Sequence, residues 1–256
     1  MIKVLHLSYS KSNTGAGIAA NRIHSCIHKF GNKEIKSILR INRSEKNQKD
    51  VIATSNKLSI IYNIFKKYSE RLFIKFINYP DNNFHSISGF PSLKHNEINK
   101  LNIDIIHIHW IQHEMISIEE IGKIKYPIIW TLHDCWPFCS TEHYPLDDKD
   151  VRYTNGYKIE NIFKFSEYVD KICFKRKKNN WGKNISLIAP SKWIGSCAKN
   201  SLLMKDKKVV VIPNPIDTEA FSPKNKIDAR KFLKINPHKK VILFGSIDGG
   251  IDPRKG

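Results

Sequence analysis

Short apolar runs recur along this chain with helix-patterned stretches between them, and that alternation confines the fold more than any other feature. Ile2 to Ser8, Ile35 to Ile41, Ile103 to His109, Ile128 to Leu132, Ile185 to Ala189, Val209 to Ile212 and Val241 to Phe244 read as strands. Most are continuous apolar segments, as expected where helices cover both faces of a parallel sheet. The first strand is followed by a polar turn, K-S-N-T-G-A-G, and a helix from about Ile18 to Phe30 with Ile23 and Ile27 on one face. The fold class that follows is doubly wound α/β with a parallel sheet. A segment from about Thr218 to Pro237, rich in charge and bounded by prolines, is the natural connection to a second domain.

With 256 residues and 41% hydrophobic content, the chain can build a sizeable core. Its net charge of +19 favours phosphate-bearing partners. Lysine is spread evenly rather than gathered into one patch, so no specific nucleic-acid partner is expected. The five cysteines, Cys26, Cys135, Cys139, Cys173 and Cys197, form no C-x-x-C pair and suggest neither a zinc knuckle nor a disulfide framework. A reducing cytoplasm is the expected setting. Lys3 and His6 interrupt the N-terminal apolar run, which fits a buried strand better than a signal peptide. No run approaches the ~20 apolar residues of a membrane span, so any membrane contact is peripheral.

One helical stretch has two readings. Between Leu58 and Ile77, the residues Ile61, Ile64, Phe65, Tyr68, Leu72 and Phe76 share a face while Lys66 and Lys67 point away. Such a helix packs on a core or lies on anionic lipid.

The chemistry-bearing residues gather at strand ends. Thr14-Gly15-Ala16-Gly17 sits between the first strand and its helix, where small residues let a phosphate reach the helix N-terminus, or where glycine serves turn geometry alone. The pattern is not G-x-G-x-x-G, and Arg40 rather than an acid stands near the end of the second strand, so a nicotinamide dinucleotide is disfavoured. His107, His109 and His113 cluster at the end of the third strand, with His107 and His109 on one face. His107 and His109, with His133 and Asp134 at the end of the next strand, could hold a hydrolytic metal, but hydrogen-bonded histidines explain them as well. In W-T-L-H-D-C-W-P-F, His133 projects from the carboxyl end of a strand, and Asp134 orients it, accepts a hydroxyl or caps a helix. Trp136 and Phe138 are expected to line the mouth of the crevice.

Taken in order, T-G-A-G-I-A-A, D-I-I-H-I-H-W, P-I-I-W-T-L-H-D-C-W-P-F, A-P-S-K-W, V-I-P-N-P-I-D-T-E-A-F-S-P and R-K-G resemble the retaining GT-B glycosyltransferases of family 4, most of all the branch that builds colanic acid, capsule and O-antigen. The resemblance implies two Rossmann-like halves, with the acceptor on the N-terminal half and the nucleotide-sugar donor on the C-terminal one. It divides the chain into an acceptor-side domain, 1–217, and a linker with the first strand of a donor-binding domain, 218–256. It further implies a lipid-linked or polysaccharide acceptor in surface glycan synthesis, peripheral contact with the anionic inner face of the cell membrane, and no metal or other cofactor. By the same resemblance His133 and Asp134 are the catalytic candidates, and Gly15, Ala16, Gly17, Arg254 and Lys255 face the donor diphosphate. Thr14 stands where relatives carry another glycine, and Ser246 where many carry arginine.

The chain ends where the donor-binding half is expected to begin, and the E-x7-E segment of that half is not in it. Two expectations follow: a piece of a longer transferase, or an inactive remnant that at most binds acceptor; in either case the isolated chain is expected to transfer sugar no faster than background. A metal-dependent hydrolase built on His107, His109 and His133 is a third.

Overall fold

The computed structural model describes residues 1–12, 14–42, 50–53, 57–81, 83–90, 93–145, 150–182, 184–243 and 245. It divides into two units, Met1–Pro215 and Ile216–Gly256. In the first unit the elements run β1 (Ile2–Ser8), α1 (Gly15–Phe30), β2 (Ile35–Ile41), β3 (Val51–Ala53), α2 (Lys57–Ile77), α3 (His95–Asn99), β4 (Ile105–Ile108) and α4 (Ile118–Gly122). They continue through β5 (Ile128–Thr131), α5 (Arg152–Asn155), α6 (Phe165–Asn180), β6 (Ile185–Ala189), α7 (Lys192–Asn200) and β7 (Val209–Val211). Among the described residues, the strands form one seven-stranded sheet in the order β3-β2-β1-β4-β5-β6-β7. Every pairing is parallel. The chain builds outward from β1 in one direction, then returns to place β4 on the other side of β1. A crevice opens at the carboxyl edge of a doubly wound sheet where the order reverses in this way, here between β1 and β4.

The two faces of the sheet differ in chemistry. Leu5 and Leu7 pair with Ile106 and Ile108, which continue through Ile128 and Trp130 to Ile185 and Leu187. These side chains share one face and pack with Ile118 and Ile121 of α4, Trp181, and Ile194 and Ala198 of α7 in the main core. The other face carries His6 beside His107, with Ser37, Ile129 and Thr131 along it. Helix α1 covers part of that face through buried Ala19, Ala20 and His24. The His24 ring is tied to Ser37 Oγ at 2.7 Å. Strand alternation therefore separates an aliphatic core from a buried layer of imidazoles and hydroxyls.

Three expectations are corrected. Val241–Leu243 is not a strand: the residues are exposed, because among the described residues no neighbouring strand offers its backbone a partner. The seventh strand is instead Val51–Ala53, paired on β2 at the edge. Helix α2 lies with its polar residues inward: Lys66 and Glu70 are buried while Phe65, Leu72 and Phe76 are 66%, 69% and 76% exposed. The ledge beneath it is polar, the Ile87 amide donating to Glu70 Oε1 at 3.1 Å, so polar side chains dock there and the apolar face turns outward. Trp136 and Phe138 do not line a mouth but lie fully buried, with the Trp136 indole donating to the Ser86 carbonyl.

The second unit contains α8 (Lys226–Phe232), capped by Asn225, whose side-chain oxygen accepts from the amides of Ile227 and Asp228. Arg254 and Lys255 lie outside the described residues, as does Ser246.

Candidate functional site

Both the glycine turn and His133 follow strands of the same parallel sheet, so they sit at its carboxyl edge. Strands β1 and β5 flank β4, which puts the two elements roughly 10 Å apart across the sheet. Thr14 is the N-cap of α1, its Oγ1 accepting from the Gly17 amide at 3.0 Å and lying 3.3 Å from Ser10 Oγ. The threonine hydroxyl satisfies one of the helix's first amides, while the positive end of a 16-residue helix faces the edge of the sheet. Gly15 has open space around it. By contrast, a Cβ on Gly17 would lie 2.6 Å from the Ser10 carbonyl oxygen. Gly17→Ala is expected to lower stability by about 1–3 kcal/mol through that overlap, and Gly15→Ala to change it by less than about 1 kcal/mol. Urea unfolding of the two variants checks this; equal midpoints would contradict the close approach.

Histidines form the floor. His6 Nδ1 lies 3.1 Å from His109 Nε2, and His109 Nδ1 lies 3.1 Å from His133 Nε2. His107 Nε2 is 2.8 Å from Thr131 Oγ1. Burial, reinforced by the neighbouring imidazoles, holds His6 and His109 well below the ordinary histidine pKa. Burial likewise brings His107 to about 3, and His133 to about 4 against an upward pull from Asp134. At neutral pH all four are uncharged, and His133, half-buried, is a neutral hydrogen-bonding ring at the crevice. The ligand nitrogens of His6, His107 and His109 lie within 4.8 Å of one another, a spacing open to a metal ion. A cation held through His6 Nδ1 and His109 Nε2 would need both bare, whereas their 3.1 Å contact is that of a shared proton.

Asp134 does not bond the His133 ring. Its Oδ2 accepts from Trp110 Nε1 at 2.8 Å and meets His143 Nδ1 at 2.5 Å, while Oδ1 accepts from the Trp136 amide. Burial pushes this carboxyl upward, but His143 and Trp110 outweigh it and hold the group below the usual carboxylate range. His143 Nε2 lies 3.0 Å from Ser86 Oγ, so Ser86, His143 and Asp134 have the spacing of a nucleophile, base and orienting acid. Ser86 is fully buried, and its amide is spent on the Thr141 carbonyl, which leaves no approach for a substrate. The group fixes the loop that follows β5. His6, Trp110 and His143 were not singled out from the sequence as site residues, although the H-x-H-W string contains one of them.

A cavity of about 520 Å³ opens beside α5 and the first turns of α6, lined by Tyr79, Asp81, Arg152, Tyr157, Lys158 and Asp170 among others. Arg152 reaches Asp150 and Asp170. Burial, with Glu142 nearby, pushes Asp170 up to about 7. The cavity adjoins the Tyr144 to Tyr157 loop, of which 146–149 lie outside the described residues.

Residues 66–220, more than half of the chain, match the model of Glycosyltransferase Family 4. The match takes in His107, His109, His133 and Asp134, and begins after the glycine turn. No curated protein matches the chain.

Proposed function

Because the chain belongs to glycosyltransferase family 4, we propose that residues 1–217 form the acceptor-side domain of a retaining enzyme, with 218–256 leading into a donor-binding domain. The enzyme transfers a sugar from a nucleotide-sugar to a lipid-linked or polysaccharide acceptor in bacterial surface glycan synthesis, at the cytoplasmic face of the membrane. What carries this reading is that the glycine turn after β1 and His133 after β5 share the sheet edge on either side of β4, beside the topological switch point. The amides of Gly15 and Ala16, at the start of α1, suit the diphosphate, whose growing charge in the transition state needs fixed donors, while the Gly17 amide is held by Thr14 Oγ1 and Gly17 allows the turn its close approach to Ser10. Arg254 and Lys255 are the basic pair that the family resemblance assigns to the donor diphosphate, a reading that calls for no metal or other cofactor. His133 meets the sugar or the attacking hydroxyl as a neutral ring, and Asp134 acts through Trp110 and His143, holding the loop that carries His133. The acceptor glycan enters the cavity beside the Tyr144 to Tyr157 loop, where carboxylates and tyrosines match sugar hydroxyls.

Among the described residues no helix is long and apolar enough to cross a membrane. The outward apolar face of α2, with Phe65, Leu72 and Phe76 on a chain of net charge +19, supports peripheral binding to anionic lipid.

A single assay tests both parts. The whole protein that carries these residues, donor-binding half included, is mixed with vesicles containing anionic lipid and membrane-extracted glycolipid, and with a panel of labelled nucleotide-sugars; the isolated 256-residue chain is expected to give no more than background. Label is expected in the lipid fraction for one donor, falling at least about 100-fold in His133→Ala. Phe65→Asp with Phe76→Asp is expected to abolish co-sedimentation with the vesicles. Release of free sugar without lipid labelling would count against transfer, and unchanged sedimentation of the double variant against the membrane face.

A further inference from the structure

His133 is the exposed end of a three-ring chain. At neutral pH each ring carries one proton, and two contacts of 3.1 Å, His6 to His109 and His109 to His133, must each contain one of them. Only two arrangements satisfy both contacts. Either every ring is protonated at Nδ1 and donates toward the crevice, or every ring is protonated at Nε2 and donates inward.

The inner end of the relay decides between them. His6 Nε2 is buried with no partner; in the inward arrangement it would be an orphaned N–H, which folded proteins rarely leave unpaired. In the outward arrangement it is a bare lone pair. The buried His6 nitrogen therefore selects the outward direction.

We propose that His6 and His109 are positioning residues that lock His133 in the Nδ1–H tautomer, making it an obligate hydrogen-bond donor to an oxygen lone pair in the crevice. The ligand atom it meets is a sugar hydroxyl acting as acceptor or a phosphoryl oxygen. Only that identification rests on the sugar-transfer reading; the tautomer itself is a property of the protein without substrate.

The test is nitrogen NMR of the full chain at pH 7 with ¹⁵N-labelled histidine, using long-range proton correlations to read which ring nitrogen is protonated. His133→Gln assigns the signal. His133 and His109 are expected to carry the proton on Nδ1, the reverse of the form favoured by free imidazole in water. In His109→Leu, the His133 ring is expected to revert to Nε2–H. His109→Gln, whose amide can still donate to His133 Nε2, should keep Nδ1–H. An Nε2 proton on His133 in the unsubstituted chain would overturn the proposal, as would an unchanged His133 tautomer in folded His109→Leu. Stoichiometric zinc with metal-shifted ring nitrogens would overturn it too. Should His109→Leu fail to fold, the spectrum of the unsubstituted chain still decides. Sugar transfer can fail while the tautomer holds, and the reverse, so the two readings fall separately.

Discussion

Acidification from pH 6.5 to pH 4.5 is expected to unfold this protein. His6, His107, His109 and His133 are all held below the ordinary histidine value by burial, His107 at about 3 and His133 at about 4. Above about pH 6.5 these rings are neutral in both the folded and unfolded chain and contribute no pH dependence. Below it the unfolded chain takes up protons that the folded one refuses, and stability falls by about 1.4 kcal/mol per pH unit for each imidazole. Two carboxyls oppose the trend. Burial raises Glu70, beside Glu114, to about 8, and Asp170 to about 7, so the folded state holds extra protons there and gains stability as pH falls through those values. These four imidazoles and His24, which burial holds at about 4, outnumber the two carboxyls, leaving a net loss on the order of 4 kcal/mol per pH unit near pH 5. Domains are typically stable by only about 5–15 kcal/mol, so two pH units remove most of that margin. Urea midpoints measured between pH 7 and pH 4.5 check this, and a flat profile down to pH 5 would show that the histidine layer is not buried and neutral.

The largest single-residue effect on stability is expected at Asp134. Its ionised carboxylate is buried against Trp110, His143 and the Trp136 amide. Asp134→Ala removes the common acceptor and strands an indole N–H, an imidazole and a backbone amide in the interior. A loss of about 3–5 kcal/mol is expected. Asp134→Asn keeps one oxygen for Trp110 or the Trp136 amide and should lose less. Chemical denaturation measures both, and an Asp134→Ala midpoint equal to that of the unsubstituted chain would mean that the network does not hold the loop.

The strands legible in the sequence are those whose apolar runs are long enough to declare themselves. β1, β2 and β6 have the expected bounds, and α2 begins one residue earlier than read. β3 escaped because three residues, Val51–Ala53, carry no period, and Val241–Leu243 misled because an apolar run becomes a strand only beside another strand. In α2 the apolar face was plain and its direction was not: periodicity says which residues share a side, and the surface beneath decides which side turns in. The same limit applies at the site. The spacing of His107 and His109 placed them together, but the partnership with His6 depends on β1 lying beside β4, a neighbour relation that only the sheet order supplies. Asp134 next to His133 suggested a bonded pair; the loop turns the carboxylate toward Trp110 and His143 instead.

The most direct measurement follows two places at once on addition of a nucleoside-diphosphate sugar: amide hydrogen exchange at Gly15 and Ala16, and the ring signals of His133. A donor held across the crevice should slow the amides and shift the ring with the same half-saturating concentration. Saturable binding that moves only one of the two, or neither, would contradict a single site spanning the turn and the imidazole.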